Sequence, residues 1–218
     1  MYALITPGIS LRIPAGLRGT SPDDIATQLA LAGDTVNRRA VFLDLNGTLV
    51  LPLKPERLGD MIAIPGAAHA VARLVTAGFA CPVVTVQSRI AKGHFSAADF
   101  HNWFQGFART WRACGALIDG PYVCPHRFAE PCPCKKPNTL LYENAARDLR
   151  IDPARSFVIG DSPDDIEAAA RLGAASCLVR TGWAADPAVA AKARPDATLD
   201  SIVEAVDWLL AAEQTRPR

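Results

Sequence analysis

The chain has no excess of charge of either sign. Its 23 basic and 22 acidic residues leave a formal net charge of +1, and like charges never run for more than a few residues. There is thus no electrostatic footprint for nucleic acid or for an anionic membrane, and a small molecule is the expected partner. A long apolar run is missing as well. Pro7 and Pro14 cut the N-terminal stretch, which carries no basic leader, and no segment approaches the roughly 20 apolar residues needed to span a bilayer. A cytoplasmic protein is expected, monomeric or at most a weak dimer. Lysine is scarce: five lysines stand against 18 arginines, so two adjacent lysines are unlike generic surface charge.

The six cysteines do not suggest a disulfide framework, because a chain of 218 residues without an export signal has no need of such staples. Cys81, Cys114 and Cys177 stand singly in apolar surroundings and read as buried small hydrophobes. Cys124, Cys132 and Cys134 are grouped, with His126 among them and Pro125, Pro131 and Pro133 forbidding regular structure around them.

An N-terminal extension, residues 1–38, contains one helix pattern at 21–34, with Ser21 as N-cap, Pro22 at the first helical position and Gly33 as a stop. A single domain is expected over 39–212, then a polar tail at 213–218. Within the domain, apolar runs suited to strands buried on both faces occur at 40–45, 81–86, 116–123, 156–161 and 176–180. Helical patterns at 65–78, 96–115, 137–150 and 163–173 alternate with them, and an amphipathic helix at 199–210 closes the domain. This alternation predicts an α/β fold with a doubly wound parallel sheet, whose ligands bind beyond the carboxyl ends of the strands. The aromatic stripe Phe100, Trp103, Phe104, Phe107 and Trp111 has helical spacing and is expected to face the core.

Several strand ends carry chemistry. Asp44 follows a buried strand and precedes a Gly-Thr turn. Thr85 ends the next strand with a hydroxyl, and Ser88 and the turn around it suit hydrogen bonding to phosphoryl oxygens. Lys135 and Lys136 bring cationic charge just before Pro137, where a helix is expected to start. In "FVIGDSPDDIEAA" a strand delivers Asp161 to the same edge, while Asp164 reads as an ordinary helix cap. Asp161 near Asp44 would put two anions side by side unless a hard cation such as Mg²⁺ lay between them.

Taken in order, Asp44, Thr85, Lys136 and "GDSPDD" resemble the four motifs of the haloacid dehalogenase (HAD) superfamily. "CPHRFAEPCPCKKP" is similar to the zinc loop of the branch containing D-glycero-D-manno-heptose-1,7-bisphosphate 7-phosphatase and histidinol-phosphate phosphatase. The resemblance implies a HAD-like Rossmannoid fold without a cap domain, since 50–66 is too short for one. It implies Mg²⁺ held by Asp44, the backbone carbonyl of Asn46 and Asp161, with Asp165 steadying the site, and Zn²⁺ held by Cys124, His126, Cys132 and Cys134. Asp44 would attack phosphorus, Thr85 and Lys136 would stabilise the phosphoryl group, and Gln87, Ser88 and Lys135 would contact a small phosphorylated sugar.

Three residues depart from the family pattern. Asn46 stands where the first motif usually has its acid-base aspartate, Val86 replaces an asparagine and Arg89 a glycine. Arg89 is either a contact for a second anionic group or a solvated charge. The leading expectation is a phosphomonoesterase acting through an aspartyl-phosphate, attenuated because an amide cannot carry the proton. Asn46 also keeps open a degenerate binding protein and a phosphotransferase.

Overall fold

The computed structural model describes residues 38–215, so the helix expected at 21–34 and the last residues of the tail lie outside it. Six parallel strands form one sheet in the order β5-β4-β1-β6-β7-β8. They are β1 (Val41–Leu43), β4 (Pro82–Val86), β5 (Asp119–Cys124), β6 (Phe157–Gly160), β7 (Ala175–Val179) and β8 (Ala197–Leu199). Residues 41–43 are fully buried, as a central parallel strand requires. Side chains alternate across it. Val41 and Leu43 meet α1 (Ala67–Thr76), α3 (Ala97–Arg112) and α7 (Ile202–Thr215), whereas Phe42 faces α4 (Leu140–Leu149) and α5 (Pro163–Leu172); the short helices α2 (Ser88–Ala91) and α6 (Pro187–Ala190) come between them in the chain. The result is helices on both faces of a parallel sheet.

The chain leaves β1 toward β4 and β5, then returns to lay β6, β7 and β8 on the other side of β1. This reversal makes the carboxyl edge of β1 and β6 the topological switch point, where open α/β sheets bind ligands. Register brings the chemistry there. Leu43 is level with Val83 and Ile159, and the Asp44 amide donates to the Ile159 carbonyl at 3.0 Å. Asp44 and Asp161 therefore leave the sheet on the same edge.

Four local features differ from the sequence reading. A short antiparallel hairpin, β2 (Val50–Leu51) with β3 (Ile62–Ala63), occupies the segment after β1. Among the described residues it is all that stands where a cap domain could be. β8 is an edge strand of three half-buried residues, too short to give a pattern, and its last residue had read as the start of the closing helix. α4 begins at Leu140, and Pro137 sits in the turn before it. Cys114 is exposed just past the end of α3, with its thiol directed at the Trp111 carbonyl, whereas Cys81 and Cys177 are buried as expected.

α3 shows why its stripe faces inward. Ser96 and Asp99 form a capping box that sets the helix entry, and Phe100, Phe104 and Trp111 are buried on one side. Trp103 and Phe107 stack at 5.2 Å along the margin of that core.

Candidate active site

Lys136 is the hub of the site. Its ammonium donates to Asp44 Oδ1 and to Asp165 Oδ1, both at 2.6 Å, in a setting where all three residues are buried. Burial alone would pull the Lys136 pKa down, but the charges of Asp165 and Asp44 outweigh it and hold the group well above its usual value. Asp165 is placed by the first turn of α5, where Ser162 Oγ donates to its Oδ2 at 2.6 Å in a capping box. Both Asp165 oxygens are thus used, one on Lys136 and one on Ser162. Its part in the site runs through Lys136 rather than through a free ligand oxygen.

Asp161 is buried, not an exposed tip carboxylate, and its Oδ2 accepts from the Trp183 amide at 2.7 Å. Two glycines make room for it. A Cβ at Gly182 would lie 1.8 Å from Asp161 Oδ2, and one at Gly47, whose φ is +95°, would lie 2.3 Å from the same atom. The Gly-Thr turn after Asn46 is therefore a steric requirement of the carboxylate opposite it.

Three buried carboxyl groups share one ammonium. Burial is the main cause that pushes Asp44 up to about 6, with Lys136 opposing and Asp165 adding to the rise. Burial, then Asp44 and Asp165, push Asp161 up to about 8. Fully ionised, the cluster would carry an excess of two negative charges, which a divalent cation with a preference for oxygen would balance. The donor set fits magnesium.

Asn46 is held at both ends of its amide. Its Nδ2 donates to the Pro52 carbonyl at 2.9 Å, and its Oδ1 accepts from Gln87 Nε2 at 2.7 Å. Gln87 also reaches Thr85 Oγ1 at 3.0 Å. Gln87 is buried and does not line the cleft, so its expected place as a substrate contact is corrected: it orients Asn46 and Thr85 from behind. Thr85 and Ser88 do line the cleft. So does Lys135, although its ammonium is accepted by the Phe128 carbonyl at 2.6 Å and by that of Glu130.

The cleft has a volume of about 520 Å³. It is lined by every lysine of the chain, namely Lys54, Lys92, Lys135, Lys136 and Lys192, and by none of the described arginines. Arg89 stands outside it. Sequence reasoning noticed the pair before Pro137 but missed the other three, which are scattered through the chain and meet only in the fold.

Beside the cleft, Cys124, His126, Cys132 and Cys134 bring four ligand atoms within 4.8 Å of one another. Cys124 Sγ lies 3.6 Å from Cys132 Sγ, and Cys134 Sγ lies 3.7 Å from it. A tetrahedral zinc with bonds of about 2.3 Å needs sulfur-sulfur edges of about 3.8 Å. His126 Nδ1 is 3.6 Å from Cys124 Sγ and 3.2 Å from Cys134 Sγ, which completes the tetrahedron. Burial pushes the Cys124 thiol up to about 12, so that sulfur needs a cation beside it to act as a thiolate. The carbonyls that receive Lys135 belong to this loop, so the ion would also set that lysine. Purified protein is expected to contain about one zinc per chain, and Cys132→Ser to lower both zinc content and melting temperature, because a closed structural site contributes on the order of 10 kcal/mol. Complete loss of metal with unchanged melting would contradict a structural role.

With that geometry in view, the HAD-hydrolase-like family model matches residues 133–205. The D-glycero-beta-D-manno-heptose-1,7-bisphosphate 7-phosphatase of Haemophilus ducreyi is 34% identical over 185 residues, covering 80% of this chain and the whole of that protein. The chain belongs to the heptose-1,7-bisphosphate 7-phosphatase family of HAD-like hydrolases. A second family member, the D-glycero-D-manno-heptose-1,7-bisphosphate 7-phosphatase of Thermosynechococcus vestitus, is 32% identical over 187 residues, covering 79% of this chain and 95% of its own length. Among solved structures, the D,D-heptose 1,7-bisphosphate phosphatase from B. bronchiseptica, complexed with magnesium and phosphate, superposes with a TM-score of 0.72 at 28% identity. It covers 80% of this chain and 99% of its own. The family places this protein among the HAD phosphatases, with the parallel sheet, the Cys/His loop and no cap domain evident among the described residues. No helix of the described residues is long and apolar enough to cross a membrane.

Proposed function

We propose that this protein is a magnesium-dependent phosphomonoesterase that removes a phosphate from a small phosphorylated sugar, with heptose 1,7-bisphosphate as the first candidate. The observation that carries this is the pairing of Asp44 with Lys136 beside Asp161, buried in the wall of a cleft that all the lysines of the chain line. Family members named for that substrate support its identity. Six cysteines without a disulfide, three of them in the four-ligand cluster, suit a reducing, cytoplasmic setting.

On this reading Asp44, with one oxygen held by Lys136, attacks phosphorus in line with the leaving sugar oxygen and becomes the aspartyl-phosphate. Lys136 and the Thr85 hydroxyl stabilise the charge on the transferring phosphoryl oxygens, and the second half-reaction transfers that group to water. Magnesium bound by Asp44, Asp161 and the Asn46 carbonyl would neutralise the carboxylates and the phosphoryl oxygens as they meet. Asn46 cannot exchange a proton, so the leaving oxygen and the attacking water lack a positioned acid-base group.

Phosphate release from heptose, hexose and histidinol phosphates tests the reading, with acid-quenched mass spectrometry of Asp44 alongside. Weak, chelator-sensitive turnover, greatest on heptose bisphosphate, is expected. Phosphorylated Asp44 that passes its phosphoryl group to added alcohols faster than to water would identify a phosphotransferase. Binding without release and without phosphorylation would identify a binding protein.

A further inference from the structure

Arg89 occupies a position where the family's second motif commonly has glycine, and its side chain, only 16% exposed, reaches neither solvent nor the cleft freely. Instead it ties down the strap between β2 and β3. Its Nη2 pairs with Glu56 Oε1 at 2.9 Å and donates to the Lys54 carbonyl at 3.2 Å, while Nη1 meets His94 Nε2 at 3.0 Å. A guanidinium can only donate, so His94 Nε2 accepts and Nδ1 carries the proton toward Glu56 Oε2, 2.9 Å away. Arg89, His94 and Glu56 thus close a ring in which each member holds the other two.

The strap has a second anchor at Pro52, whose carbonyl receives Asn46 Nδ2. Between the anchors, buried Pro55 sits next to Lys54 and limits the freedom of its backbone. The exposed Lys54 ammonium then stands 4.6 Å from the centre of the Trp183 ring, on a residue whose amide holds Asp161. Both line the cleft. Lys54, Lys92 and Lys192 have no carboxylate within ion-pair distance among the described residues, unlike Lys136 at the reacting end. Three cationic groups without anionic partners, facing one cleft, suit an anion beyond the phosphoryl group that Asp44 would receive.

We propose that Arg89 is a positioning residue: it clamps the strap of residues 52–57 so that Lys54, with Lys92 and Lys192, forms a subsite for a second anionic group of the substrate. The proposal rests on the phosphatase reading for its substrate but not for the clamp itself.

Two measurements on Arg89→Ala keep these apart. In substrate-free protein, amide hydrogen exchange across residues 52–57 is expected to quicken. In turnover, KM for heptose 1,7-bisphosphate is expected to rise by about tenfold, the scale of one lost charge-assisted contact, with little change in kcat. KM for heptose 7-phosphate, which lacks the second phosphate, is expected to move by less than about threefold. Arg89→Lys should recover part of the loss, and Arg89→Ala combined with Lys54→Ala should be no worse than Lys54→Ala alone, since both act through one contact. Unchanged exchange at the strap overturns the clamp. Equal KM changes for the two sugars, or a loss confined to kcat, overturn the subsite. If wild-type protein releases phosphate from neither sugar, the phosphatase reading fails alone, and equilibrium binding of the bisphosphate to wild type and Arg89→Ala decides the subsite in its place.

Discussion

Asn46→Asp is expected to raise phosphatase turnover by about 10² or more, the usual worth of a positioned general acid and base. The local geometry favours the gain. One oxygen of the new carboxyl group would keep the 2.7 Å hydrogen bond from Gln87, and the other would face the Pro52 carbonyl, which now receives the amide at 2.9 Å. Two oxygens that close need a proton between them, so Pro52 would favour the protonated acid, the form that must be present to donate to a leaving sugar oxygen. The variant should therefore acquire a basic limb in its pH-rate profile that the natural protein lacks. A steady-state comparison on heptose 1,7-bisphosphate across pH checks both features. No gain, with substrate still bound, would point to a protein that binds phosphosugars without turning them over. A loss would mean that the amide itself orients the acceptor.

Asp161→Asn is expected to lower metal-dependent turnover by about 10³ or more, as loss of a charge-stabilising ion removes several kcal/mol from the transition state. The same change should stabilise the magnesium-free protein in alkaline solution. The sign follows from the raised acids. Asp44 and Asp161, raised from 3.8 to about 6 and about 8, keep their protons in the folded state where the unfolded chain has released them. Their contribution to stability is complete below pH 3.8 and is lost as pH climbs through about 6 and about 8. Without magnesium, wild-type melting should fall across that window, and magnesium should restore it most at the alkaline end. Asp161→Asn removes the later part of the decline. Melting scans with and without magnesium, from acid to alkaline pH, are expected to show a variant that is more stable than wild type above pH 8 and less responsive to the ion. Wild-type melting that rises through the window would contradict the buried-acid account.

The cluster at the sheet edge was legible because Asp44, Thr85 and Asp161 come at the ends of strongly apolar strands, where a lone Asp or Thr stands out, and Lys136 was legible as one of two adjacent lysines in a lysine-poor chain. The cysteine loop was legible through its prolines and spacing. What escaped depends on contacts between distant segments. The resemblance puts Gln87 among the substrate contacts, and only the fold shows it buried behind Asn46. Neither expectation for Arg89 matched its place, because its partners Glu56 and Lys54 lie more than 30 residues earlier, in a hairpin whose two-residue strands carry no periodic pattern. β8 was hidden in the same way: three half-buried residues beside β7 leave no alternation to read.

The gathering of all the lysines around one cleft has a practical side. Amine-directed chemistry cannot decorate the described surface without addressing the cleft, so an acylating reagent behaves as a site-directed probe, and bound phosphosugar as its shield. A biosensor chip that couples proteins through lysine would tether this one by its own mouth. Attachment through the exposed thiol of Cys114, at the far end of α3, leaves the cleft free.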